Sequence, residues 1–140
     1  MIKAIIFDYG NVLVSFDYNI FYNNISKFTD KSIEDIKIII RREMKDYYEI
    51  GKISTDEFIE ISIKKCNLHI PPEEFKKFFN DIFEPIYETR ELIKKLKLNY
   101  KIGLISNLGQ MHFESEVKSN EIFNLFDERS LSFEVGHLKP

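Results

Sequence analysis

The sequence predicts an α/β protein, a parallel sheet whose alternation of strand and helix is interrupted once by a long helical insertion. Two short, apolar, largely β-branched runs at residues 2–7 and 101–106 each close in a turn-forming cluster, Asp8-Tyr9-Gly10-Asn11 and Asn107-Leu108-Gly109. Buried parallel strands have this form. The chain between the two runs carries repeated helix-start signals and reads as helical almost throughout.

Residues 2–7 predict the first strand. Ser32-Ile33-Glu34-Asp35 and Ser54-Thr55-Asp56-Glu57 each place a hydroxyl three residues ahead of an acid before an apolar-periodic stretch, and Pro71-Pro72-Glu73-Glu74 is a proline-led start with acids in its first turn. Three helices are therefore expected to begin there. Phe75, Phe78, Phe79, Ile82 and Phe83 recur at the spacing of one helical face and predict core. Glu84-Pro85-Ile86 ends that helix, because proline donates no backbone hydrogen bond and restricts its predecessor, and a linker is expected there. Residues 89–98 predict a helix feeding the second strand, 120–126 a helix or turn, and 129–134 a third short strand. The alternation is that of a parallel α/β sheet with one insertion. There is no internal repeat and no low-complexity tract.

At 140 residues the chain is long enough for one domain with a sizeable core, or for a small domain carrying an insertion. Its 44% hydrophobic content, with thirteen Phe and seven Tyr, excludes disorder. Twenty basic and 23 acidic residues are interleaved to a net charge of −3. No concentrated basic face is available for nucleic acid, so small molecules are the expected partners. The single cysteine, Cys66, lies in an apolar-periodic stretch and reads as a small buried hydrophobe. The apolar N-terminal run is too short for a signal segment, and no run reaches membrane-spanning length. The expectation is a cytoplasmic protein without membrane contact.

An acid at the C-terminal end of a buried strand stands where open α/β sheets place ligands and catalysts, and Asp8 occupies that position. Tyr9-Gly10-Asn11 can turn its amides toward an anion, although Asp also serves turns for its own hydrogen bonding. Ser106-Asn107 offers a hydroxyl and an amide to a phosphoryl oxygen, or an ordinary helix cap. Lys139 taken alone is one lysine among many. His69 and His112 have no partner spacing, His137 reads as structural or solvent-facing, and a His–Cys metal cluster is not supported. Asp17 and Asp30 read as caps or surface charges.

In order and separation, Phe7-Asp8-Tyr9-Gly10-Asn11-Val12-Leu13, Leu104-Ile105-Ser106-Asn107 and Ser132-Phe133-Glu134-Val135-Gly136-His137-Leu138-Lys139-Pro140 resemble three motifs of the haloacid dehalogenase-like hydrolases with a helical cap. Tyr48-Glu49-Ile50-Gly51-Lys52-Ile53-Ser54 and Phe126-Asp127 also fit, so the resemblance covers essentially the whole chain. It implies a Rossmann-like, parallel three-layer sandwich core, incomplete on one side, built from residues 1–15 and 88–140, with residues 16–87 as an inserted α-helical cap. It further implies an Asp8 nucleophile that forms an aspartyl-phosphate. Ser106 and the backbone of Asn107 would hold the phosphoryl oxygens, and Lys139 would offset the repulsion between two anions. Mg2+ would bind the Asp8 carboxylate and the Gly10 carbonyl. The cap would exclude water and select a small phosphorylated metabolite, a sugar phosphate or a nucleotide, in a monomer or homodimer.

The chain departs from the family pattern in two places. Family phosphatases commonly carry a second Asp two residues after the nucleophile, and here Gly10 stands there. The fourth motif, an acidic pair, would fall after Pro140, so the expectation is a C-terminally truncated chain with a depleted magnesium shell, an uncovered sheet and impaired activity. Two alternatives stay open: a carbon–halogen hydrolase, whose Asp works without metal but whose motif resembles Asp-x-Tyr-Gly-Thr, and a non-catalytic fragment whose cap binds or dimerises.

Overall fold

The computed structural model describes residues 1–140. Its main sheet is parallel, in the order β1 (Ala4–Phe7), β4 (Lys101–Ser106), β5 (Glu128–Leu131). Phe7 lies opposite Leu104 and Leu131 opposite Ser106, so the C-terminal ends of all three strands share one edge of the sheet. The second strand forms at the residues expected of it. The expected strand over 129–134 is corrected: pairing stops at Leu131, and Ser132–Val135 is a short helix, α8, closed by Gly136 in the left-handed region at φ 77°. Glycine enters that region without a Cβ clash and ends a helix there.

Two further strands interrupt what the sequence presents as continuous helix. β2 (Val14–Phe16) pairs antiparallel with β3 (Phe83–Pro85), Val14 opposite Pro85 and Phe16 opposite Phe83. The insertion enters through one strand and leaves through the other. Helix α5 (Pro72–Asn80) therefore stops before Ile82 and Phe83, which the aromatic spacing assigns to its face. Phe83 packs instead beside Tyr9, Phe16 and His112, so its burial is satisfied in a strand as well as in a helix.

The insertion begins with α1 (Tyr18–Ile25), where the Asp17 carboxylate accepts the Asn19 N–H at 2.9 Å. α2 (Ile33–Lys37) runs through a π-helical segment (Ile38–Met44) into α3 (Lys45–Glu49). α4 (Thr55–Lys65) precedes α5. All three predicted starts form as expected: Ser32 and Ser54 each accept a backbone N–H at 3.1 Å, from Asp35 and Glu57, and proline leads α5.

Two apolar clusters result. Phe21, Tyr48, Phe58, Phe75 and Phe79 form the centre of the insertion, joined by Met111 from α7 (Gln110–Ser119). Tyr48 stacks on Phe58 with ring centroids 4.4 Å apart. Cys66 is buried in the same cluster, and burial pushes its thiol up to about 11. The second cluster brings Ile93 of α6 (Tyr87–Leu96) onto Ile102, Leu104 and Leu131 of the sheet. Alternate strand residues point the other way. Ile6 and Ile105 are exposed on that opposite face, so helices cover one side only and two layers of the sandwich are present. No helix is long and apolar enough to cross a membrane.

Candidate active site

The loop after β1 is held from inside. The Tyr9 carbonyl accepts the N–H groups of Val12, Leu13 and Val14 at 3.2, 2.8 and 3.3 Å. Asn11 takes the left-handed conformation, φ 59°, which asparagine tolerates better than most residues. The Leu13 carbonyl accepts from the Ile86 N–H at 3.0 Å and from Arg90 Nε at 3.3 Å, fixing the loop to the start of α6. Asp8 is thereby presented at the strand end, its Oδ1 accepting the Tyr9 N–H at 2.7 Å. Its Oδ2 accepts a hydrogen bond from the ammonium of Lys139, forming an ion pair across 131 positions of sequence.

Asn107 is what places that lysine. Its Oδ1 accepts the Lys139 N–H at 2.8 Å and its Nδ2 donates to the Lys139 carbonyl at 3.4 Å. The Leu108 N–H donates to Ser132 Oγ at 3.0 Å, which ties the terminal segment to the β4 loop a second time. The Asn107 side chain is thus committed to the Lys139 backbone. Ser106 is buried at the end of β4. Asp8, Gly10, Ser106, Asn107 and Lys139 thus converge, while His137 is exposed.

Gly10, Ser106 and Asn107 line a cavity of about 300 Å³, roofed by Tyr18, Lys45, Asp46 and Glu49 of the insertion. These roof residues escape sequence reasoning. A Lys–Glu pair four residues apart on a helix is ordinarily solvated, yet Lys45 Nζ meets Glu49 Oε1 at 2.7 Å with Glu49 buried. The Lys45 ammonium also stands 5.6 Å from the Tyr18 ring centroid. Gly10 has a neighbour that no sequence signal gives away. A Cβ built on it would come within 2.6 Å of Phe16 Cε1.

Three buried polar groups brace the cavity. His112 bonds through Nε2 to the Phe79 carbonyl at 2.8 Å and stacks on the Phe79 ring at 4.2 Å. Burial holds its imidazole neutral, with its pKa lowered to about 3. Tyr9, fully buried, donates its hydroxyl to Glu116, and burial together with that carboxylate raises the phenol well above its ordinary range. Tyr48 Oη accepts the Met111 N–H at 2.7 Å, taking up one orphan donor at the start of α7.

No group of three or more His, Cys, Asp or Glu side chains is placed to hold a metal. The hard oxygen donors at the end of β1 are the Asp8 carboxylate and loop carbonyls such as that of Gly10. Their chemistry suits magnesium, which binds through one or two carboxylates and completes its shell with water and substrate phosphate.

No protein-family model matches the chain. A D-ribitol-5-phosphate phosphatase of Bacteroides thetaiotaomicron is 28% identical over 158 aligned positions, covering 100% of this chain and 72% of that protein. A crystal structure of a HAD family enzyme from the same organism, complexed with magnesium and inorganic phosphate, superposes with a TM-score of 0.82 at 21% identity, over 100% of this chain and 73% of that one. A predicted HAD-like family hydrolase of Porphyromonas gingivalis gives 0.83 at 20% identity, over 100% and 71%. An L-2-haloacid dehalogenase gives 0.58 at 19% identity, over 99% and 67%.

Proposed function

From a chain with the haloacid dehalogenase-like fold and that family's motif order, we propose a magnesium-dependent phosphatase of small phosphorylated metabolites, with Asp8 as nucleophile. The Asp8–Lys139 ion pair at the C-terminal edge of the sheet, aligned by Asn107, carries this reading. Residues 16–87 act as the cap and residues 1–15 and 88–140 as the core.

An Asp8 carboxylate oxygen attacks phosphorus, forming an O–P bond as the bond to the leaving oxygen breaks, and water then cleaves the aspartyl-phosphate. Ser106 and the Asn107 amide hold the phosphoryl oxygens. The Lys139 ammonium offsets the approach of two anions and keeps Asp8 aimed. The Asp8 carboxylate and the Gly10 carbonyl would hold magnesium, which would supply charge neutralisation at the phosphoryl group. Residue 10 has no proton to give, so the leaving oxygen receives its proton from another group.

The D-ribitol-5-phosphate phosphatase relative supports a phosphorylated polyol or sugar as substrate. The higher structural similarity to the magnesium- and phosphate-bound enzyme than to the haloacid dehalogenase supports phosphate over halide chemistry. The test is phosphate release from sugar, polyol and nucleoside phosphates with and without Mg2+, for this chain and Asp8→Asn. A version extended past Pro140 by the corresponding C-terminal part of the Bacteroides relative is assayed alongside. Release that needs Mg2+ and falls by roughly 10³-fold or more in Asp8→Asn is expected. Chloride release from 2-haloacids would transfer the reading to the dehalogenases, and silence of both forms toward every ester and haloacid would leave a binding module.

A further inference from the structure

We propose that the Lys45–Glu49 pair is the element that reads the leaving group, and that it selects esters whose carbon chain carries adjacent hydroxyls, a polyol or open-chain sugar phosphate. The inference rests on the phosphatase reading and deepens it.

The pair lines the same cavity as Gly10, Ser106 and Asn107, and Asn107 holds Lys139 against Asp8, so a group attached to a phosphoryl group held there would lie against the pair. It is a costly feature if it serves the fold alone. Glu49 keeps only 8% of its side-chain surface and Lys45 23%, and a desolvated ion pair contributes little net stability. Such a pair does have value in recognition. A hydroxyl both donates and accepts, so neighbouring hydroxyls can donate to the Glu49 carboxylate while accepting from the Lys45 ammonium, each bond charge-assisted. A leaving group without hydroxyls would bury both charges against carbon, and sites built for a hydroxyl reject analogues that lack it.

Two local features support a built site. A π-helical segment (Ile38–Met44) runs directly into α3 at Lys45, and such segments are rare and frequently lie at functional sites. The Tyr18 ring beneath the Lys45 ammonium holds that long side chain in place. Size narrows the class further. At about 300 Å³ the cavity is at the lower limit of small-molecule sites, which suits a short carbon chain with its phosphate.

The test measures affinity in an Asp8→Asn background with Mg2+, by calorimetry, for a pentitol 5-phosphate, phenyl phosphate and adenosine 5′-monophosphate. The background chain is compared with the same chain also carrying Glu49→Gln, an isosteric change that preserves packing, or Lys45→Met, and melting temperatures report folding. Expected is tightest binding of the pentitol ester, with its preference over phenyl phosphate reduced 10-fold or more by either substitution. In chains retaining Asp8, the same loss is expected in the ratio of kcat/KM values, carried mainly by KM. A preference that survives both substitutions in folded protein, or equal binding of all three esters, overturns the assignment. No turnover with the binding preference intact counts against the phosphatase reading alone, and binding of none of the esters overturns both.

Discussion

The ring of Phe16 occupies the space into which any side chain at position 10 would project, its Cε1 within 2.6 Å of a Cβ built on Gly10. An acid two residues after Asp8, missing from the sequence, would have to displace this ring. Phe16 belongs to β2 and lies edge-on to Tyr18 at 5.9 Å, so the ring is part of an aromatic wall.

Gly10→Asp is accordingly expected to destabilise the protein, by about 1–3 kcal/mol for an overpacked site, and to leave phosphate release no higher. Pairing it with Phe16→Ala should recover most of the lost melting temperature. A single Gly10→Asp chain that melts unchanged and works several-fold faster would show that the ring yields freely.

His112 predicts a pH dependence of stability. Its pKa falls from 6.5 to about 3 on folding, through burial. The unfolded chain takes up this proton below pH 6.5 and the folded chain does not until near pH 3. Stability from this group is complete above 6.5 and is lost as pH falls toward 3, at a slope approaching ~1.4 kcal/mol per pH unit. Urea melts at pH 7.5, 5.5 and 4.5 should therefore converge for the unaltered chain and His112→Gln, which keeps an amide donor for the Phe79 carbonyl. Profiles that stay parallel would count against a neutral, buried imidazole.

Gly109 and Tyr48 make the contact between insertion and sheet helices sensitive to a single methyl group. A Cβ on Gly109 would stand 2.5 Å from Tyr48 Cε1, and the ring is buried with its hydroxyl held by the Met111 N–H. Gly109→Ala is expected to cost about 1–3 kcal/mol. Its effect should be non-additive with Tyr48→Phe, because both act on one contact. Additive losses in thermal melts would separate the two.

The sequence by itself determined the two parallel strands, two serine-capped helix starts and one proline-led start, and the order of Asp8, Ser106-Asn107 and Lys139. Each depends on local chemistry: β-branched runs, hydroxyl caps, a missing N–H, an acid at a strand end. Tertiary structure alone decided where the aromatic helix stops, since Phe83 packs in β3 beside Tyr9, Phe16 and His112. It also decided that Phe16 fills the space at Gly10, that Asn107 places Lys139, and that Lys45 and Glu49 leave solvent to roof the cavity. The physical reason is range. Propensity and capping act within a few residues, whereas a side chain's neighbours across β2, α3 and α7 are set only when the sheet closes and the insertion docks on it, and those neighbours make up the rest of the site.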